Sequence, residues 1–142
     1  MTVRVRRAFD FDVAPEQIWE FISDPINRAE SISVVEDFDV GSDNRVTWHI
    51  NLPIPLLDST AKVRTEDVER DPPHYVKFVG RSRVMQVTGE HTIEERDGGC
   101  RLVNEFTVEG RLPGVERYFK RNLDRELDNL EAALRESVEA AR

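Results

Sequence analysis

The chain has 142 residues, a length typical of one domain, and we predict a single domain over residues 1–142. It carries 28 acidic and 20 basic residues, and the resulting net charge of −8 repels a phosphate backbone, which disfavours a nucleic-acid partner. The only cysteine, Cys100, excludes an intramolecular disulfide framework. No segment approaches the roughly 20 apolar residues of a membrane span, so we expect a cytoplasmic protein without a transmembrane segment.

The basic residues are unevenly divided, because 17 are arginines and only three are lysines. Two explanations fit this imbalance. An acidic surface rich in arginine is consistent with adaptation to high salt, and a genome rich in G and C favours arginine codons. We prefer adaptation to salt, which a comparison of melting temperatures from low to molar KCl tests.

The N-terminal third predicts one strand followed by two short helices. Apolar and polar residues alternate over residues 3–13, which is typical of a half-buried strand. Pro15 follows at a position that favours the first turn of a helix, and the apolar stripe after it ends at Asp24 and Pro25. A second short helix is predicted over residues 26–31.

The rest of the chain predicts six strands and then one long helix. Turn residues at 41–44, 71–73 and 97–99 separate segments that alternate as strands do. The predicted strands cover residues 33–40, 45–52, 59–69, 74–80, 84–95 and 100–110. From Pro113 onward apolar residues recur every three or four positions, which predicts an amphipathic helix longer than any strand. We expect the sheet to curl around this helix, with Gly89 as a site of the bend.

Residues 13–25, with the sequence VAPEQIWEFISDP, resemble the opening motif of the START/Bet v 1-like (SRPBCC) superfamily. They are especially similar to two branches, the polyketide cyclases/dehydrases and the G-type subunit of carbon monoxide dehydrogenase, and residues 71–73, 87–89 and 98–102 are similar to the same branches. The resemblance implies an α+β helix-grip fold. A curved seven-stranded antiparallel sheet would wrap around the long C-terminal helix, with two short helices after the first strand and a cavity between sheet and helix.

The same resemblance implies several functions, because the superfamily includes carriers, binders, cyclases and accessory proteins. The favoured function is binding or carriage of a hydrophobic or amphipathic small molecule, such as a lipid, an isoprenoid or a polyketide-like compound. The alternatives are a cyclase/dehydratase-type enzyme and an accessory subunit of a larger complex. No cofactor or metal is expected, since the three histidines lack metal-ligand spacing. The oligomeric state stays open.

Four polar residues interrupt apolar strand faces and are therefore candidates to project into the cavity: Arg7, Glu36, His91 and Asn104. Each has a structural alternative. Arg7 can extend to water, a bulge can turn Glu36 outward or change the register at His91, and Asn104 can be a hydrogen-bonded core amide. If Glu36 or Arg7 contacts His91, the pair could carry out acid/base chemistry on a carbonyl substrate. Glu36 is the only acid that we predict on an apolar face.

Apolar residues of the strands and of the long helix are predicted to line the remainder of the cavity. The ligand-binding candidates, polar and apolar together, are Glu36, Trp48, Ile50, Met85, Val87, His91, Asn104, Phe106, Phe119, Leu123 and Leu127. Core packing is the alternative for Trp48 and for the helix residues.

The segment after the third strand is apolar but holds two prolines, which oppose continuous sheet pairing. We predict that Pro53, Ile54, Pro55 and Leu56 form a lid over the cavity mouth. An exposed patch of this kind contacts a ligand, a partner or, transiently, a membrane. The alternative is a loop that packs on the protein itself.

Overall fold

The computed structural model describes residues 2–55, 57 and 59–142. The first half of the chain forms one strand, two short helices and three further strands: β1 Thr2–Phe11, α1 Pro15–Ile22, α2 Pro25–Glu30, β2 Val35–Val40, β3 Arg45–Ile50 and β4 Ala61–Asp71. The second half forms three strands and the long helix: β5 Tyr75–Arg81, β6 Met85–Arg96, β7 Gly99–Gly110 and α3 Val115–Ala140. Within these described ranges no helix is both long and apolar enough to cross a membrane.

All seven strands form one antiparallel sheet in the order β1-β7-β6-β5-β4-β3-β2. The long helix α3 packs against β1 and β7 and also contacts α1. This arrangement confirms the α+β helix-grip fold expected from the sequence. The element boundaries differ from the predicted ones by a few residues only.

Prolines and one aspartate define the short helices. Pro15 begins α1, and Ile18 and Ile22 of that helix are fully buried. The helix α2 begins at Pro25 rather than at residue 26, because the side chain of Asp24 accepts a hydrogen bond of 2.9 Å from the backbone N–H of Ile26. Residues 23 and 24 thus end one helix and start the next.

Gly89 does not interrupt its strand, contrary to the expected bend. The pairing of β6 with β5 and with β7 is continuous through this residue. A Cβ atom here would lie 2.1 Å from Cε1 of Phe78, so the glycine leaves the space that this ring occupies. The register shifts lie elsewhere, between Val35 and Asp37 and between Asp67 and Glu69.

Candidate functional site

A small cavity lies where α2 and α3 face the centre of the sheet. Its walls are mostly apolar and include Phe78, Phe106, Leu127 and Leu130. Three polar side chains, Arg28, His91 and Glu126, also reach it. The volume is about 30 Å³, which leaves room for only one or two water molecules. Sites for small organic molecules are usually about tenfold larger or more.

The strand register brings three polar residues into one row across the sheet. Arg7 pairs with Asn104, and Asn104 pairs with His91 on the next strand. The Asn104 side chain donates to the carbonyl oxygen of Arg7 at 3.3 Å through Nδ2, so its Oδ1 faces His91. The distance from Oδ1 to Nδ1 of His91 is 2.8 Å, and Nδ1 is therefore the protonated, donating nitrogen of the ring.

The other ring nitrogen of His91 lacks a partner in the described part of the chain. His91 is 1% exposed, and its Nε2 is buried without a hydrogen bond among the described residues. Burial lowers the pKa of His91 to about 3, and the positive charge of Arg28 adds to this effect, while the hydrogen bond with Asn104 opposes it. The ring is neutral at physiological pH, and Nε2 is an unused hydrogen-bond acceptor at the cavity.

Aromatic rings fix the orientation of this imidazole. Phe78 stacks on it with ring centroids 6.1 Å apart and an interplanar angle of 15°. Phe106 meets it edge to face at 5.5 Å. These contacts leave the lone pair of Nε2 in a largely apolar environment, where an unpartnered acceptor is costly.

A buried ionic cluster holds α2 against the sheet. Arg28 is 4% exposed, donates to the carbonyl oxygen of Ile22 at 2.9 Å and pairs with Asp67 of β4. Its guanidinium also lies over the ring of Phe78, 4.9 Å from the centroid. Asp67 binds Arg70 as well, at 2.5 Å. Because Asp67 neutralises Arg28, this cation closes the cavity and is not an unpaired anion site.

A buried carboxylate connects α3 to the turn after α2. Glu126 is 5% exposed, and its two oxygens accept hydrogen bonds from the backbone N–H of Ser33, at 2.6 Å, and from the Ser33 hydroxyl. Ser31 and Ile32 of the same turn complete the cavity wall. The turn and α2 together cover the site, and the bonds between Glu126 and Ser33 fasten that cover to α3.

Sequence reasoning missed these two clusters, although both follow visible patterns. Asp67 continues the inward-facing series of Ala61, Val63 and Thr65 on β4. Glu126 lies three residues after Leu123 and four before Leu130, on the apolar stripe of α3. The prediction that Glu36 is the only acid on an apolar face is therefore wrong. No local pattern in a six-residue helix singled out Arg28.

Two predicted polar candidates lie away from the cavity. Glu36 is exposed because the bulge beside it turns it outward, and it accepts a hydrogen bond from Asn51. Arg7 reaches α3, where it pairs with Asp128 at 2.7 Å and with Glu131 at 3.6 Å. Neither side chain contacts His91, so the expected acid/base pair does not form in this structure.

The apolar candidates divide into two groups. Phe106 and Leu127 line the cavity, and Asn104 lies behind His91. Six others are at most 5% exposed and belong to the packed core, outside this cavity: Trp48, Ile50, Met85, Val87, Phe119 and Leu123. They were predicted to line a ligand cavity, but here the side chains fill that space themselves.

The predicted lid does not cover the cavity with His91. Pro53, Ile54 and Pro55 instead line an open groove of about 480 Å³ beside the first turns of α3. Leu56, the fourth residue of the predicted lid, lies outside the described residues. Over the described parts of the chain, no cluster of three or more His, Cys, Asp or Glu side chains is arranged to hold a metal ion.

Comparison with known proteins agrees with this architecture. The sequence profile of the family described as "Polyketide cyclase / dehydrase and lipid transport" matches residues 2–135. The chain belongs to this family. Comparison with curated proteins gives no match.

Solved structures share the fold at low sequence identity. A conserved protein from Geobacillus kaustophilus has a TM-score of 0.76 at 12% identity, with 97% of each chain covered. The Zhui aromatase/cyclase from Streptomyces sp. R1128 has a TM-score of 0.75 at 14% identity, covering 100% of this chain and 97% of the other. A protein from Thermus thermophilus scores 0.67 at 18% identity, with 99% of each chain covered. Similarity at this level establishes the fold of this family member and no more.

Proposed function

We propose that this protein binds a small, mainly apolar molecule whose hydroxyl group donates a hydrogen bond to Nε2 of His91. The observation that carries the proposal is the buried, neutral His91 with an unused acceptor at an apolar cavity. A bound hydroxyl would satisfy this acceptor, while burial of the apolar part supplies most of the binding free energy. Lipids, isoprenoids and polyketide-like compounds with a hydroxyl or phenol group all belong to this class.

Binding requires the cavity to widen, because about 30 Å³ does not hold an organic molecule. The cover formed by α2 and residues 31–34 is the part that moves in this proposal. It is short, and polar contacts fasten it at Glu126 and at Asp67. Displacement of this cover would open the apolar wall while the sheet stays in place.

Catalysis of a cyclase/dehydratase type is the second candidate, favoured by the fold shared with an aromatase/cyclase. Such a reaction needs a group that exchanges protons near neutral pH. His91, with a pKa of about 3, is a weak base in the closed structure. The geometry therefore supports binding better than proton transfer.

Matched ligands test the proposal. Phenol and toluene have similar shapes and differ in the hydroxyl, so calorimetric titration should give a dissociation constant about tenfold lower for phenol. In His91→Phe this preference should disappear, because the acceptor is gone. His49→Phe is the control, since His49 lies on the other face of the sheet and bonds to Asp39. Equal affinities for phenol and toluene in the unmodified protein would refute the hydroxyl contact.

A further inference from the structure

One end of the molecule concentrates cations that have no acidic partner among the described residues. Residues 111–123 contain Arg111, Arg117, Lys120 and Arg121 but only one acid, Glu116. Arg83, on the turn between β5 and β6, belongs to the same end, because Val84 of that turn accepts a backbone hydrogen bond of 2.8 Å from Arg111. We call these five cations the basic end. All five are exposed, and none forms an ion pair within the described part of the chain.

The opposite end of the molecule shows that this is not a general property of the surface. There Arg101 pairs with Asp10 at 2.8 Å, and Arg142 pairs with Asp12 at 2.6 Å. Arg96 is likewise paired with Glu94, at 2.7 Å. The protein has a net charge of −8, yet the acids that the structure describes satisfy the cations at one end and leave those at the other end unpaired.

An open groove of about 480 Å³ runs through the basic end. Its floor is formed by Ile54 and by the prolines at 53, 55 and 113. Arg117 and Arg121 stand on its rim with Tyr118 between them. Arginine and tyrosine around an apolar floor are typical of protein interfaces.

We propose that this groove docks an acidic segment of a partner protein, with carboxylates against Arg117 and Arg121 and an apolar side chain on the proline floor. Charge complementarity favours an anionic occupant. A lipid surface fits less well, because the large apolar side chains that the described chain exposes, Val40 and Val68, lie outside the basic end. This interface is separate from the cavity with His91, so either proposal can fail alone.

Selection from a random peptide library displayed on phage tests the docking surface. The enriched sequences should combine several Asp or Glu residues with an aromatic or aliphatic one. A synthetic peptide of such a sequence should bind about tenfold more weakly to Arg117→Gln/Arg121→Gln, since two exposed cations are removed from the contact. Arg96→Gln/Arg142→Gln is the matched control with the same net charge, and it should bind the peptide as the unmodified protein does.

Three results would overturn the proposal. Failure to enrich acidic peptides would show that the groove has no such specificity. Equal weakening by the two double variants would reduce the effect to net charge. Binding to phosphatidylserine vesicles that depends on Arg117 and Arg121, without peptide binding, would assign the basic end to a membrane surface. Melting temperatures of both variants confirm folding, which these exposed residues should not affect.

Discussion

The inner face of the sheet is divided into two regions with different packing. Around Met85, Val87 and Trp48 the apolar side chains fill the space between sheet and helix. Around His91 the sheet meets polar groups from α2 and α3, and a small cavity remains. The same strand alternation produces both regions. The difference arises from the cover formed by α2 and residues 31–34, which brings Arg28 and fastens to Glu126.

Removal of Asp67 should have the largest effect on this division. In Asp67→Ala two arginines lose their carboxylate, and Arg28 remains as a buried, unpaired charge. We expect the free energy of unfolding to fall by about 3–5 kcal/mol, measured by urea denaturation. Glu66→Ala is the control, because its side chain is 38% exposed and its ion pairs are solvated. Similar losses in the two variants would remove the ionic cluster from this account.

Two leucines one turn apart on α3 separate the regions directly. Leu123 lies in the packed core, and Leu127 lines the cavity. Replacement of either by Ala should cost about 2–5 kcal/mol of stability. Only Leu127→Ala should bind phenol more tightly, because its lost volume adds to the cavity. An equal gain of affinity in Leu123→Ala would show that the ligand site extends into the packed region.

The protonation state of His91 makes the cavity region sensitive to acid. Its folded pKa of about 3 lies below the ordinary value of 6.5, so the unfolded chain binds more protons between these limits. Stability is fully present above pH 6.5 and falls as the pH decreases toward 3, by at most about 1.4 kcal/mol per pH unit. Urea denaturation of the unmodified protein and of His91→Gln across this range isolates the contribution. Parallel pH profiles of the two proteins would contradict a buried neutral imidazole.

The bonds between Glu126 and Ser33 should control access to the cavity with a smaller effect on stability. Glu126→Gln weakens the acceptor toward Ser33, so we expect a loss of about 1–2 kcal/mol. Phenol uptake, followed by stopped-flow tryptophan fluorescence, should become faster. Glu131→Gln on the same helix removes an exposed pair with Arg135 and should leave uptake unchanged. Unchanged uptake in Glu126→Gln would mean that ligands enter by another path.

Periodicity was sufficient to predict the fold. The three- and four-residue spacing predicted α3, and strand alternation predicted the sheet and the inward positions of His91 and Asn104. Alternation failed at Glu36, because a bulge reverses the face of a strand without a clear sequence signal. It also failed to give the size of the cavity. That size depends on how side chains from different elements fill a common space, as Trp48 and Phe119 do.

Nitrogen NMR of the protein labelled with ¹⁵N-histidine tests the central claim most directly. At neutral pH His91 should show a protonated Nδ1 and an unprotonated Nε2, as its bond to Asn104 requires. Saturation with phenol should move the Nε2 resonance to lower chemical shift, and saturation with toluene should leave it in place. A protonated Nε2, or a resonance that phenol does not move, would contradict the proposal that His91 receives the hydroxyl of the ligand.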